Sequence, residues 1–242
     1  ADEGLLRSTN GGTTWIQIAT PTQLGASTIE VLDVKVTGTS ADGVYPKTLY
    51  VATNNNSYPL RKVVDNGASV TITTIGAGLP SYPTAIAIAP TSPTTFYATV
   101  RSYGVYKSTN SGLNFSNINS SAMQSFLAGD AGRFAQYIDV SPVDSNYVFV
   151  AFNRKAFYYS QNAGVTWNAP TTSDESNVDG WVSGSLSGYN YASTFNYLAS
   201  PIAVHPTNKN ILLTIGESGD IKKSTDGGVN FRYSNTGFTG GG

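Results

Sequence analysis

The sequence predicts an all-β fold of radially arranged four-stranded antiparallel blades, a β-propeller, from two repeats locked at one phase. The first is an eight-residue segment: Ser8-Thr-Asn-Gly-Gly-Thr-Thr-Trp15, Ser108-Thr-Asn-Ser-Gly-Leu-Asn-Phe115, Ser160-Gln-Asn-Ala-Gly-Val-Thr-Trp167 and Ser224-Thr-Asp-Gly-Gly-Val-Asn-Phe231. A fifth copy, Val63 to Val70, keeps Asp65 and Gly67 and loses the end residues. The copies follow one another at steps of 55, 45, 52 and 64 residues. The second repeat is an apolar strand closed by proline: Ile86 to Pro90, Ile138 to Pro142 and Ile202 to Pro206. Each proline precedes the next repeat serine by 18 residues. Two unrelated patterns at one offset define a structural unit.

Each unit reads as four strands. In one, Thr84 to Ala89 alternates as an inner strand and a proline turn, Pro90 to Pro93, ends it. Thr95 to Val100 and Gly104 to Ser108 follow, and after the eight-residue segment a fourth strand begins near Asn114. Blade units are expected at about 1–24 (partial), 25–80, 81–127, 128–196 and 197–242, an incomplete ring of about four and a half blades. The chain is therefore expected to be part of a larger chain or assembly.

The eight-residue segment has the chemistry of a tight turn. Its Asn or Asp (Asn10, Asp65, Asn110, Asn162, Asp226) accepts backbone N–H bonds across the turn. Its glycine (Gly12, Gly67, Gly112, Gly164, Gly228) supplies positive φ, and its serine (Ser8, Ser108, Ser160, Ser224) opens it. The closing aromatics Trp15, Phe115, Trp167 and Phe231 are expected to be buried between sheets, with Val70 as their smaller counterpart.

Composition bounds the function. Net charge is −1 and neither sign gathers in a run, so no footprint for nucleic acid exists. No apolar stretch reaches the ~20 residues of a membrane-spanning helix, so no membrane insertion is expected. Only 12% of residues are charged, so Ser, Thr, Asn, Gly and Tyr must solvate the surface, as in many secreted and cell-surface β proteins. There is no cysteine, which excludes disulfides and thiolate metal sites. No phosphate loop, nucleophile elbow or metal-spaced histidine cluster appears, and no cofactor or metal is expected.

The eight-residue segments resemble the Asp-box (BNR-type) repeats of sialidases, sortilin-type receptors, photosystem-assembly propellers and xyloglucan-degrading glycosidases with paired propellers. The likeness runs from about Gly4 to Tyr233 and is closest in pattern to the glycosidase branch and its noncatalytic relatives. It implies an extracellular or cell-surface propeller that binds or hydrolyses a polysaccharide; the alternative is a noncatalytic scaffold or adhesion module for surface proteins. A sialidase site needs three convergent arginines. Here Arg7, Arg61 and Arg232 are tied to the repeat and too few remain.

In a propeller the loops after the second and fourth strands share the face opposite the repeated turns, and ligand residues are sought there. Arg101, Tyr103 and Arg154 lie in second-strand loops. Two fourth-strand loops are long, roughly 117–133 and 169–197, and the latter collects Trp181, Tyr189 and Tyr191, whose rings could stack on sugars. That loop is expected to carry the main interaction surface. Glycoside hydrolysis needs two facing carboxylates, and Asp130, Asp179 and Glu217 lie in the right class of loop. Asp33 and Asp139 lie within inner strands and are expected to be structural or channel-lining. His205 aligns with Ala89 and Ser141 and reads as a tolerant turn position.

Overall fold

A computed structural model describes residues 3–37, 44–129, 132–153, 157–170, 172–173, 202–215 and 221–234. Within them the chain folds as successive antiparallel sheets, a partial propeller. The first sheet pairs β1 (Leu5–Arg7) with β2 (Ile16–Ala19), and the short helix α1 (Pro21–Leu24) follows it. The second sheet is the meander β3 (Val31–Thr37), β4 (Lys47–Thr53), β5 (Leu60–Asp65) and β6 (Val70–Ile75). The third repeats it with β7 (Pro83–Ile88), β8 (Phe96–Val100), β9 (Gly104–Ser108) and β10 (Ser116–Asn117). Helix α2 (Ser121–Ala128) leads to the fourth sheet, β11 (Ala135–Val140), β12 (Val148–Phe152) and β13 (Phe157–Ser160). Then come β14 (Thr172–Ser173) and the fifth sheet, β15 (Ile202–Val204), β16 (Leu212–Ile215), β17 (Ile221–Ser224) and β18 (Asn230–Tyr233).

The fourth sheet departs from the four-strand expectation. After β13, among the described residues, only Asn168 bridges back, to Tyr159, and β14 lies parallel to β18 of the next sheet. Pro170 accounts for the break, because proline has no N–H to continue the ladder. The crossing itself is part of the repeat. Ala77, leaving the second sheet, is bridged in parallel to Asn114 of the third, and Asn114 holds the position that Asn230 holds in β18.

The repeated turns have one hydrogen-bond pattern. In all four full copies the serine Oγ accepts the N–H of the glycine four residues on, at 2.8–3.0 Å. The Asn or Asp Oδ1 accepts the N–H four residues on, at 2.8–2.9 Å. The glycines sit at φ between 78° and 91°, where a Cβ is disfavoured. In the degenerate copy Asp65 takes the Gly67 N–H that the serine accepts in the full copies, and it gains a second role. Both its oxygens take Arg7 Nη1 of the first sheet at 2.7 Å, while Arg7 Nη2 reaches the Gly67 carbonyl. An ion pair between sheets is thus present where the closing aromatic is lost.

The core lies in slabs between adjacent sheets. Phe115, Trp167 and Phe231 are each buried against the preceding sheet, and Trp167 Nε1 donates to the Ile118 carbonyl across the gap at 2.9 Å. Trp15 is the exception to the expected burial: it is 59% exposed and its Nε1 turns to Gly12 O of its own turn. The reason is positional, since no sheet among the described residues lies before β1–β2. Val70 is half-buried against the slab between the first two sheets.

The inner strands β3, β7 and β11 lie side by side toward the axis, each with a bulge at the same register. Their free edges leave N–H groups unpaired. Carboxylates take two of these: Asp33 Oδ2 accepts from Ile86 N of the next sheet and Asp139 Oδ1 from Val140 N. Both carboxylates thus make structural hydrogen bonds to the backbone. Burial pushes the Asp139 carboxyl up from its ordinary value, opposed by the Val140 N–H and by Lys35. His205 Nδ1 accepts the Thr207 N–H inside its proline turn, as Ser141 Oγ accepts that of Val143.

Candidate functional site on the loop face

The strand order puts the repeated turns and the proline turns on one face, and hydrogen bonds join them: Ser111 N to Thr94 O, Ala163 N to Asn146 O and Gly227 N to Asn210 O. The opposite face carries the loops after the second and fourth strands. There, one position recurs. The residue just after the second strand is Asn54 in the second sheet, Arg101 in the third and Asn153 in the fourth. Asn54 Oδ1 accepts the N–H of Glu30 and Asn153 Oδ1 that of Phe134, so both side chains fasten the first strand of their own sheet. Arg101 has no acceptor to offer. Its guanidinium lies 4.4 Å over the Phe134 ring of the following sheet, and its carbonyl accepts Ala135 N.

Tyr103, two residues on, projects from the same tight turn and is 48% exposed. The turn beneath it is rigid. Asn119 Nδ2 donates to the Tyr103 carbonyl at 2.7 Å and Asn119 Oδ1 accepts Val105 N at 2.7 Å. Gly104, at φ 89°, leaves the room that the Asn119 amide fills. The structure therefore brings Arg101 and Tyr103 together on a braced hairpin, two of the ligand residues expected from sequence.

Helix α2 flanks this hairpin, within residues 117–133 that the sequence predicts as a long loop. The signals were present: Ser120 caps the first turn by accepting Met123 N, and Met123, Phe126 and Leu127 recur at helical spacing. Met123 and Phe126 are buried against the slab between the third and fourth sheets. Arg133 stacks on Phe126 and donates to its carbonyl, which closes the helix end. Helix α1 carried an equally readable capping box, Thr20 with Gln23, and proline at its start.

A second feature on this face is an open groove of about 640 Å³ lined by Glu3, Gly4, Leu6, Ile29, Glu30, Val31 and Leu32, between β1 and the start of β3. Glu30 is held there by Asn54, whose Nδ2 donates to Glu30 Oε2. No sequence signal marks this groove, because its walls lie 26 residues apart in the chain and carry no motif. Arg154, Trp181, Tyr189 and Tyr191, and the carboxylates Asp130, Asp179 and Glu217, lie outside the described residues, as does nearly all of the 169–197 segment. No cluster of three or more His, Cys, Asp or Glu side chains suited to a metal ion occurs among the described residues.

No protein-family model matches the sequence, and no curated protein matches it. Solved structures do share the fold. A GH74 xyloglucanase from Xanthomonas campestris superposes with a TM-score of 0.68 at 18% identity, over 96% of this chain and 36% of that one. An ancestral GH74 enzyme gives 0.53 at 19% identity, over 84% of this chain and 23% of that one. The chain thus spans well under half the length of either, and at these identities what is shared is the propeller fold.

Proposed function

We propose that this chain is an extracellular carbohydrate-associated propeller of the Asp-box kind that binds polysaccharide across its loop face. One observation carries the reading. At a position where the neighbouring sheets place asparagine to fasten their own strands, this sheet places Arg101, beside an exposed Tyr103 on a braced hairpin. A fixed aromatic face next to a cation and amide groups suits a sugar ring and its hydroxyls. The fold shared with a xyloglucanase supports that ligand class. Trp181, Tyr189, Tyr191 and Arg154 extend the same surface in this reading, and Asp130, Asp179 and Glu217 are the acids available should it also hydrolyse.

A glycan array and affinity electrophoresis in xyloglucan and other β-glucans test the reading. Retarded migration that is lost by Tyr103→Ala and weakened by Arg101→Ala, with unchanged far-ultraviolet circular dichroism, is the expected result. Silence on every glycan overturns it. The second reading, a scaffold for protein partners, then takes its place through the groove at Leu6 and Leu32, whose side chains are exposed.

A further inference from the structure

Three of the chain's arginines spend their donors on the protein's own oxygens: Arg7 on Asp65 and the Gly67 carbonyl, Arg61 on Thr74 and the Gln23 carbonyl, Arg133 on the Phe126 carbonyl. Arg101 does not. Among the described residues its guanidinium donates no hydrogen bond and meets no carboxylate, while one of its faces rests on the Phe134 ring. A stacked guanidinium is held by the ring and keeps its N–H edge for a ligand. The turn beneath it is closed by the Tyr103 N–H on the Val100 carbonyl at 2.9 Å, so Arg101 and Tyr103 leave one short, braced support.

The charges around Arg101 leave it unanswered. From 76 to 170 the described residues hold two carboxylates, Asp139 and Asp144. Asp139 accepts the Val140 N–H at the end of β11 that leads into the proline turn, and Asp144 lies in that turn, paired with Lys209 at 2.7 Å. Both therefore sit toward the face of the repeated turns, away from Arg101. Arg133, next to Phe134 in the chain, adds a second positive charge on the side of α2. On the second sheet the loop-face carboxylate Glu30 is engaged by Asn54. The loop face of the third sheet thus carries positive charge with no counterion among the described residues.

We propose, resting on the reading of the loop face as a polysaccharide site, that the polysaccharide held at this hairpin is anionic, with the oxygens of a carboxylate or sulfate group on the Arg101 edge and a sugar ring against Tyr103. Two parallel N–H donors of a guanidinium fit two oxygens of one anionic group, a match that sugar hydroxyls do not offer, and such charge-assisted bonds are about twice as strong as neutral ones. A neutral chain stacks on Tyr103 equally well and forgoes them. The second and fourth sheets cannot make the same choice, because Asn54 and Asn153 are committed to the N–H groups of Glu30 and Phe134.

Affinity electrophoresis of the full 242-residue chain in matched polymers reads the charge of the ligand: polygalacturonate against its carboxyl-reduced product, and dextran sulfate against dextran. Salt is set at about 0.15 M, where exposed charges more than ~8 Å apart are screened and close contacts persist. The expected result is binding about tenfold tighter or more to the charged member of at least one pair, and the pair names the anionic group. Arg101→Gln should bring the two members level with unchanged circular dichroism. Arg101→Lys, which keeps the charge and loses the fork, should retain only part of the preference. Equal binding to both members of each pair overturns the anionic ligand and leaves the polysaccharide reading standing, and an Arg101→Gln chain that keeps the full preference overturns the role of Arg101. Silence on both charged polymers also overturns the proposal, and silence that extends to the glycan array takes the polysaccharide reading with it. Poly-glutamate bound as tightly as the charged polysaccharides overturns both, since charge alone then accounts for the retention.

Discussion

Replacing Trp167 by alanine tests the inter-sheet packing directly. The indole is buried to 8% exposure between the third and fourth sheets, among Tyr97, Val105 and Met123, and its Nε1 satisfies the Ile118 carbonyl. Truncation removes the apolar contact and leaves a cavity, worth about 3–5 kcal/mol for an aromatic of this size. Trp167→Phe keeps most of the ring and loses the hydrogen bond, so its cost is about 1–2 kcal/mol. Trp15 is the internal control, with the same motif position and an exposed ring, and Trp15→Ala should cost under about 1 kcal/mol. Urea unfolding followed by circular dichroism reads all three. For a chain of this length the Trp167→Ala cost corresponds to a fall of ~6–20 °C in Tm. If Trp167→Ala costs no more than Trp15→Ala, burial between sheets is not what the motif aromatic contributes.

The Arg7–Asp65 pair predicts asymmetry: Asp65→Ala should cost about 3–5 kcal/mol in urea unfolding because it strands a mostly buried cation, whereas the joint swap Arg7→Met with Asp65→Leu should be closer to neutral. For Asp139, whose carboxyl is raised by burial, the folded state binds its proton more tightly than the unfolded state. Stability from this group therefore declines as pH rises above the ordinary 3.8, and Asp139→Asn should flatten that decline and be neutral or stabilising at pH 7. Asp226 has the opposite sign. Burial alone raises it, but hydrogen bonds from the Asn230 backbone and side chain and from Ser224 outweigh burial and hold it below 3.8. Its contribution is present above that value and lost as pH falls through the lowered one, so Asp226→Asn should blunt acid unfolding in a pH titration of Tm.

The turns were legible because their bonds are local. Ser8 to Gly12 and Asn10 to Thr14 are four residues apart, so residue types at fixed offsets specify the hydrogen bonds whatever surrounds them. Both helices carry local signals too, in Ser120 and the Thr20–Gln23 box. The Arg101–Tyr103 hairpin was found by its loop class. Its distinguishing property, an arginine where the second and fourth sheets have asparagine, lies in the register that matches β8 with β4 and β12.

By itself the sequence determined the repeating unit, its strands and its turn chemistry, because propensity, proline positions and four-residue hydrogen bonds act within one sheet. Only the tertiary structure decided which copies of the motif bury their aromatic, since that depends on whether a neighbouring sheet is present. It likewise decided why Asp65 persists in a decayed turn. Its partner Arg7 lies 58 residues away and reaches it only when two sheets stack. Such contacts join segments through space, and no spacing along the chain encodes them.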